Sequence, residues 1–256
     1  MKKGPACCCA LLALAVAFIV PRDAVRAEAG HWGYTGEFGP SAWDRADPSF
    51  ALCKSGKNQS PIDIVPAYAA SLPALVFDYP HAGKTIVNNG HTVQVQFPRG
   101  NTLTTDGGVF ELVQVHFHTP GENLYEGKAF PMEGHFVHQD RKGNQAVLAV
   151  FFEEGPGNPG IAALWAEMPR TAGEMKRLTR EFNALSLLPD NRDYVYFNGS
   201  LTTPPCSEGV RWYVLKQPLS VDKEQAAAFR KVMGHPNNRP LQNVNARPVL
   251  RQSGAR

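Results

Sequence analysis

Two histidines separated by a single residue form the pattern in this sequence best suited to chemistry. Residues 114–118 read Gln-Val-His-Phe-His. Alternate residues of a β-strand share one face, so we expect Gln114, His116 and His118 to point the same way. The neighbouring apolar residues are expected to point into the opposite, packed face: Val113, Val115 and Phe117. Two imidazoles on one strand face begin a metal site, but a further ligand has to come from elsewhere in the chain.

A third histidine follows a loop that contains glycines. Residues 133–135 read Glu-Gly-His, and a strand that returns after the loop would bring His135 beside the pair. Three neutral histidines with one open position are the ligand set of a catalytic zinc ion. Histidines that bind a metal usually donate their second ring N–H to an acceptor. Gln114 and Glu133 each stand two residues before a histidine, on the same strand face, and are predicted to be those acceptors.

Residues 1–27 have the features of a cleaved secretory signal. Lys2 and Lys3 give a positive start, residues 10–20 are apolar, and residues 25–27 read Val-Arg-Ala, a cleavage site with small residues. The apolar run is too short to span a membrane. We predict cleavage before Glu28, a periplasmic or secreted protein without a membrane anchor, and a single domain over residues 28–256.

Removing the signal changes the charge balance and the cysteine count. Of the 26 basic and 23 acidic residues, four basic and one acidic lie in residues 1–27, so 22 of each remain and the net charge is zero. No nucleic-acid or membrane partner follows from such a balance. Only Cys53 and Cys206 remain outside the signal. Two cysteines in an exported chain predict one disulfide, with two free buried thiols as the alternative.

Strand-like segments dominate the remaining sequence. Asn89-Gly90 predicts a two-residue hairpin between the first two strands. The predicted strands are 84–87, 91–97, 102–105, 110–118, 135–139, 146–152, 194–198 and 210–215. Helical periodicity is limited to residues 161–168, 174–185 and 222–232. The fold class is therefore mostly β, a single domain built on a large twisted, mainly antiparallel central sheet with a few short peripheral helices.

Several longer motifs resemble those of α-class carbonic anhydrases of the bacterial exported type. Besides the histidine motifs and Glu122, they are His-Trp-Gly-Tyr at 31–34, Asn-Gln-Ser-Pro-Ile-Asp at 58–63, Asn-Asn-Gly-His at 88–91, Ser-Leu-Thr-Thr-Pro-Pro at 200–205 and Asn-Ala-Arg-Pro at 245–248. They occur in the family's order and cover nearly all of residues 28–256. The resemblance implies the α-carbonic anhydrase fold and the reversible hydration of carbon dioxide to bicarbonate and a proton, by attack of zinc-bound hydroxide. It allows a homodimer.

The resemblance also implies roles for individual residues. Thr202 orients the hydroxide, Glu122 accepts a hydrogen bond from Thr202, and His91 is the proton shuttle, since an imidazole titrates near neutral pH. A dry wall for carbon dioxide is formed by Val137, Val147, Leu201, Val210 and Trp212, with Thr203 on the wetter side. Water on the proton path is ordered by Tyr34, Asn89 and Gln94. The Ser60–Pro61 and Pro204–Pro205 bonds are expected to be cis.

One departure and three alternatives qualify this resemblance. Many relatives have a histidine directly after the position of Glu122, whereas this chain has Asn123, so the hydrogen-bond support of that carboxylate differs. A cupin motif also begins with His-x-His-x-x-x-Glu, but the glycines that it requires are replaced by Phe110 and Ala129. A non-catalytic relative or a periplasmic zinc store typically lacks a metal histidine, and all three are present. Imidazoles also bind copper, cobalt or iron.

Overall fold

The computed structural model describes Met1 and residues 30–253. The predicted signal and its cleavage site lie outside the described residues. The strands are β1 (Asp63–Ile64), β2 (Tyr68–Ala70), β3 (Val76–Asp78), β4 (Gly83–Asn88), β5 (Val93–Gln96), β6 (Thr102–Thr105), β7 (Gly108–His118), β8 (Leu124–Tyr125), β9 (Met132–Gln139), β10 (Gln145–Glu154), β11 (Met175–Phe182), β12 (Tyr194–Ser200), β13 (Glu208–Leu215), β14 (Leu219–Val221) and β15 (Leu250–Gln252). The helices are α1 (Trp43–Ala46), α2 (Leu52–Ser55), α3 (Pro159–Ala166) and α4 (Lys223–Met233). No helix in this part of the chain is long and apolar enough to cross a membrane.

A thirteen-stranded sheet organises the described chain. Its main path runs β11-β4-β5-β7-β9-β10-β13-β12-β15-β2, with β6 on β7, β3 on β6 and β14 on β10. Most neighbours are antiparallel, whereas β10 pairs in parallel with β13 and β14, and β15 pairs in parallel with β2. β1 and β8 form a separate parallel pair. The prediction of a mostly β fold with a mainly antiparallel sheet and short helices is confirmed.

The central strand β10 shows that both faces of the sheet are buried. Leu148 and Phe152 belong to one apolar cluster, whereas Ala149 and Phe151 belong to another. Because side chains alternate between the faces of a strand, the two clusters lie on opposite faces of the sheet. His135 on β9 is the direct partner of Ala149. The third predicted ligand therefore faces the same side as the second cluster.

Two of the three predicted helices are confirmed, and one is wrong. The predictions at 161–168 and 222–232 correspond to α3 and α4. Residues 174–185 instead form the edge strand β11 and the start of a 3-10 turn, Ala184–Leu187. β11 pairs antiparallel with β4 and supplies partners for the backbone groups along that edge. The tertiary pairing overrides a local helical pattern, which is only a weak preference.

Two local predictions on the strands also fail. The predicted two-residue turn at Asn89-Gly90 is a four-residue loop, since β4 ends at Asn88 and pairs it with Val93. The Asn89 side-chain oxygen accepts the backbone N–H groups of His91 and Thr92 and so closes the longer loop. Val113 is exposed rather than packed, because a bulge shifts the register of β7 against β9 at this position.

The predicted disulfide and both predicted cis peptide bonds are confirmed. Cys53 and Cys206 are joined, with Cα atoms 5.0 Å apart and a sequence separation of 153 residues. Ser60–Pro61 and Pro204–Pro205 are cis, and Thr119–Pro120 is cis as well. Cys206 lies only a few residues beyond Thr202, so the disulfide anchors the loop that carries this threonine to α2.

Replacing both cysteines with serine is expected to lower the free energy of unfolding by roughly 4–5 kcal/mol in the chain-entropy account of cross-links. The reason is the long loop that the disulfide closes in the unfolded chain. Urea unfolding of the double variant beside the oxidised parent measures the difference. The reduced parent serves as the control and should match the variant. A difference below about 0.5 kcal/mol would contradict the prediction.

Candidate metal centre

Strands β7 and β9 bring the three predicted histidines together. His116 is the direct cross-strand partner of His135, and His118 lies one position beyond Phe117 on the same face as His116. One ring nitrogen from each of the three lies within 4.8 Å of the corresponding nitrogen of the others. One small cation can therefore contact all three rings. Among the described residues, this is the group of histidine, cysteine and carboxylate side chains that could hold a metal ion.

The outer nitrogens of two of these rings have the predicted partners. His116 Nδ1 is 2.8 Å from Gln114 Oε1, and His135 Nε2 is 2.9 Å from Glu133 Oε1. Each pair lies on one strand, two residues apart, as the alternation of side chains requires. These contacts fix the rings so that Nε2 of His116 and Nδ1 of His135 remain for a ligand. The predicted hydrogen bonds of Gln114 and Glu133 are confirmed.

The third ring has a partner that the sequence did not reveal. His118 Nδ1 donates to the backbone carbonyl of Asn237 at 2.7 Å. Every residue carries such a carbonyl, so no residue type marks this one in the sequence. His118 Nε2 is buried and has no hydrogen-bond partner among the described residues. A buried polar atom is rarely left without a partner, and this orphaned nitrogen fits a metal ion.

Burial keeps the three imidazoles neutral. It lowers the pKa of His116 and of His135 well below the ordinary value, and the neighbouring imidazoles lower both pKa values further. Burial also lowers the pKa of His118, and the hydrogen bond to the Asn237 carbonyl opposes this shift. A metal ligand has to be an unprotonated imidazole nitrogen. The electrostatics of the site therefore favour the state of the rings that binds a cation.

Glu133 is tied to the loop that carries Glu122. Its Oε2 accepts the backbone N–H groups of Glu122 and Asn123, at 2.7 and 2.8 Å, and its Oε1 accepts Asn123 Nδ2 at 2.7 Å. Asn123 Oδ1 in turn accepts the backbone N–H of Ile62. The backbone and side chain of Asn123 together tie the loop to Glu133 and Ile62. Burial raises the pKa of Glu133, and the bonds from Asn123 and Glu122 oppose the shift.

Glu122 is buried, with His118 and Thr202 as neighbours. Its Oε1 accepts the backbone N–H of Arg239 at 2.8 Å. Burial raises the pKa of Glu122 to about 8, while the bond from Arg239 and the neighbouring Thr202 hydroxyl lower it. Oε2 of Glu122 has no partner with full hydrogen-bond geometry in the described chain. Thr202 is adjacent to Glu122, and Oε2 is available to accept its hydroxyl.

The predicted apolar wall is assembled beside His135. Trp212 lies edge-on to the His135 ring, with centroids 5.0 Å apart, and its Nε1 donates to the Ser200 carbonyl. The five predicted wall residues belong to the apolar cluster that contains Ala149: Val137, Val147, Leu201, Val210 and Trp212. Thr203 is half-buried, and its carbonyl accepts the Cys206 N–H. Val137 stands two residues after His135 on β9, and the pairing of these residues with Val147 and Ala149 shows that they share one face of the sheet.

Aromatic rings hold the predicted shuttle, His91. Its ring stacks on Trp32, with centroids 3.7 Å apart and planes within 7°. Trp32 contacts Tyr34 edge-on, and the Tyr34 ring lies 6.0 Å from His235. Burial lowers the pKa of His91, and the nearby His31 and His235 lower it further. A lowered pKa makes the protonated imidazole a better proton donor to buffer.

The three residues predicted to order water have different surroundings. Tyr34 is buried, and burial together with the charge of Glu122 raises its phenolic pKa, so it stays neutral. Gln94 on β5 is the direct cross-strand partner of His116 and therefore borders the metal centre. Asn89 is exposed and uses its side-chain oxygen to close the loop that carries His91. Its contribution to that loop is visible in the structure, and its part in water ordering stays a prediction.

Comparison with known proteins agrees with this geometry over nearly the whole described chain. A family model described as eukaryotic-type carbonic anhydrase matches residues 38–253. A carbonic anhydrase from Neisseria gonorrhoeae is 48% identical over 86% of this chain and 87% of its own length, and one from Pectobacterium carotovorum is 43% identical over 93% and 98%. The structure of the α-carbonic anhydrase from Thermovibrio ammonificans with sulfanilamide has a TM-score of 0.85 and 48% identity, covering 87% of this chain and 100% of that one. The chain therefore belongs to the α-class carbonic anhydrases and is an enzyme.

Proposed function

We propose that this chain hydrates carbon dioxide reversibly with a zinc ion held by His116, His118 and His135. The observation that supports the proposal most directly is the buried His118 Nε2, which has no partner among the described residues and lies beside a nitrogen of each of the other two rings. Three neutral nitrogen ligands and an open fourth position suit catalytic zinc. When bound, zinc supplies the positive charge that lowers the pKa of a water to about 7, a value known for carbonic anhydrases in general.

Thr202 and Glu122 orient the nucleophile in this proposal. Glu122 is anchored by the Arg239 N–H, which leaves Oε2 to accept the Thr202 hydroxyl. When the Thr202 hydroxyl donates its proton to Glu122, its oxygen lone pair faces the attacking oxygen. That lone pair accepts the proton of the attacking oxygen and so fixes its direction. The remaining lone pair then faces the apolar wall, where carbon dioxide is held without polar contacts. Orientation of this kind lowers the entropic cost of the reaction.

His91 carries the released proton to buffer. Its stacking on Trp32 holds the ring in one orientation, Tyr34 packs against the same Trp32, and Gln94 is the cross-strand partner of His116. We expect that His91→Ala lowers kcat about 10-fold or more at low buffer concentration, a typical scale for loss of a proton-transfer group. kcat/KM should stay within about 2-fold, because that ratio covers substrate capture and hydration. Buffer-dependent stopped-flow hydration gives both values.

Free imidazole should partly restore kcat of the His91→Ala variant, since it replaces the missing proton acceptor. His81→Ala is the matched control, because His81 is an exposed histidine on the neighbouring strand connection and should change neither parameter. If His91→Ala lowers kcat/KM as strongly as kcat, His91 contributes to the structure of the site and does not act as a shuttle.

The proposal as a whole is tested on the chain beginning at Glu28, expressed with its disulfide. Metal analysis should find one zinc ion per chain, and stopped-flow hydration of carbon dioxide should be zinc-dependent. A protein that holds zinc and does not hydrate carbon dioxide would be a binding or storage protein. A protein that hydrates carbon dioxide with a different metal would refute only the choice of zinc.

We also propose that residues 1–27 are a secretory signal and that residues 28–256 form the exported catalytic domain. The Cys53–Cys206 disulfide supports export, since such bonds persist in oxidising compartments. Mass spectrometry of the N-terminus of the protein from a periplasmic fraction tests this. A chain that retains residues 1–27 would refute it.

A further inference from the structure

Arg239 is a buried arginine whose side chain makes three hydrogen bonds to one loop. The residue is only 2% exposed. Its Nη1 donates to Gln59 Oε1 and to the Ser60 carbonyl, and its Nη2 donates to the Cys53 carbonyl, each at 2.8 Å. A guanidinium has its donors in a rigid planar fork, so three such bonds fix direction as well as distance. The segment over residues 53–60, which starts in α2 and is called the 53–60 loop below, is therefore held in one position relative to Arg239.

The main chain of Arg239 holds a second part of the molecule. Its backbone N–H donates to Glu122 Oε1 at 2.8 Å. One residue thus contacts the 53–60 loop through its side chain and the proposed acceptor of Thr202 through its backbone. The Trp43 ring packs 5.6 Å from the guanidinium carbon and covers it. The contacts of the guanidinium therefore anchor the same residue whose backbone N–H orients Glu122.

The 53–60 loop in turn holds both ends of the segment that carries Thr202. On one side, Ser60 N–H donates to Ser200 Oγ at 2.9 Å, and Ser200 N–H donates to Ser60 Oγ at 3.2 Å. On the other side, Gln59 Nε2 donates to the Cys206 carbonyl at 3.0 Å. The two segments approach each other closely at this point. Glycine at position 199 permits the approach, because any side chain there would collide with Ser60 Oγ. Thr202 lies between the two anchored ends.

We infer that Arg239 is a positioning residue that aligns Glu122 with Thr202. The two partners stand on separate loops, and Arg239 contacts Glu122 directly and the Thr202 segment through Gln59 and Ser60. The inference rests on the proposed function, in which Thr202 orients the nucleophile. A misplacement of about 1 Å in such an arrangement can cost about 100-fold in rate. A purely structural role for Arg239 would lower stability without acting through Thr202.

The test is a double-mutant cycle between Arg239→Met and Thr202→Ala, with kcat/KM for carbon dioxide measured in zinc-loaded protein. We expect Arg239→Met to lower kcat/KM about 10- to 100-fold in the parent and less than about 2-fold in the Thr202→Ala background. Bound zinc should remain at one ion per chain in both. If Arg239→Met lowers kcat/KM by the same factor in both backgrounds, or not at all in the parent, the inference is overturned.

Arg247→Met is the matched control. The Arg247 guanidinium donates to the carbonyls of Asn198, Gln59 and Asn243, so its replacement removes a similar number of hydrogen bonds from the same region. It should lower the melting temperature comparably and keep kcat/KM within about 2-fold. If Arg247→Met lowers kcat/KM as much as Arg239→Met, general loosening of the loops explains the effect and the inference is overturned.

Arg239→Lys keeps the test valid if Arg239→Met does not fold. Lysine keeps the charge but not the fork of donors, so kcat/KM should fall several-fold in the parent and not in the Thr202→Ala background. If Arg239→Lys keeps the full kcat/KM of the parent, the fork of donors is not needed and the inference is overturned. If Thr202→Ala itself leaves kcat/KM unchanged, the proposed role of Thr202 fails and the inference fails with it. If Thr202→Ala lowers kcat/KM and the Arg239 variants do not, the inference fails while the proposed role of Thr202 stands.

Discussion

Replacing His118 with alanine is expected to remove both bound zinc and carbon dioxide hydration. The change leaves only two of the three clustered histidines, His116 and His135. Catalytic zinc sites keep three protein ligands. Mutation of a residue that hydrogen-bonds to a metal ligand already costs about 10–100-fold in metal affinity or activity. Loss of a ligand itself should therefore lower kcat/KM at least about 100-fold. Zinc content after dialysis and stopped-flow hydration measure the two effects.

A thermal measurement gives a readout that does not depend on activity. A metal that binds only the folded chain raises its melting temperature by mass action. Added zinc should therefore stabilise the metal-free parent and not the His118→Ala variant. His138→Gln is the matched control, since His138, on β9, is buried like His118 but contacts the Tyr79 hydroxyl at 2.6 Å. It should lose stability and retain zinc. Zinc retention in His118→Ala would contradict the proposed site.

The contacts of the candidate metal centre that were predicted correctly depend on the two-residue repeat of a β-strand. Gln114 and His116 share a face of β7, and Glu133 and His135 share a face of β9, so spacing alone predicts which side chains meet. The return of β9 beside β7 follows from the need to pair the backbone of a buried strand. Local periodicity was sufficient because each of these contacts lies on one strand or on its direct neighbour.

The contacts that were missed join residues far apart in the chain. The Asn237 carbonyl accepts from His118, and the Arg239 N–H donates to Glu122, across separations of 119 and 117 residues. Every residue carries such a carbonyl and every residue except proline such an N–H, so residue type gives no signal. The role of Asn123 was also missed, because the sequence shows only an asparagine directly after Glu122. Its contacts to Glu133 become visible only in the folded loop.

The errors in the fold have a related cause. Residues 174–185 have a helical pattern, but β11 is determined by the unpaired edge of β4, which lies far earlier in the chain. The exposure of Val113 follows from one extra residue in β7 relative to β9, and such a bulge reverses the expected face without changing the residue types around it. Periodicity correctly predicts an element whose structure follows its local preference. In β11 and at Val113, pairing with a neighbouring strand determines the structure instead.

Thr202→Ala is expected to lower kcat/KM about 100-fold while zinc stays bound. The threonine hydroxyl is the proposed link between Glu122 and the nucleophile, and without it the attacking oxygen loses its fixed direction. The metal ligands and their hydrogen-bond partners are untouched, so the zinc content should match that of the parent. Because the hydration step is affected, kcat/KM falls and free imidazole does not restore it, in contrast to His91→Ala. Stopped-flow hydration at several buffer concentrations separates the two variants.

Thr202→Ser distinguishes orientation from packing. Serine keeps the hydroxyl that donates to Glu122 and lacks only the methyl group, so most of the kcat/KM of the parent should be retained. Thr202→Val has the opposite character, since it keeps the volume and removes the hydroxyl, and should be as slow as Thr202→Ala. If Thr202→Val is nearly as fast as the parent while Thr202→Ser is slow, the side chain acts by packing against Leu201 and the wall. Glu122 then has another partner, and the orientation mechanism is wrong.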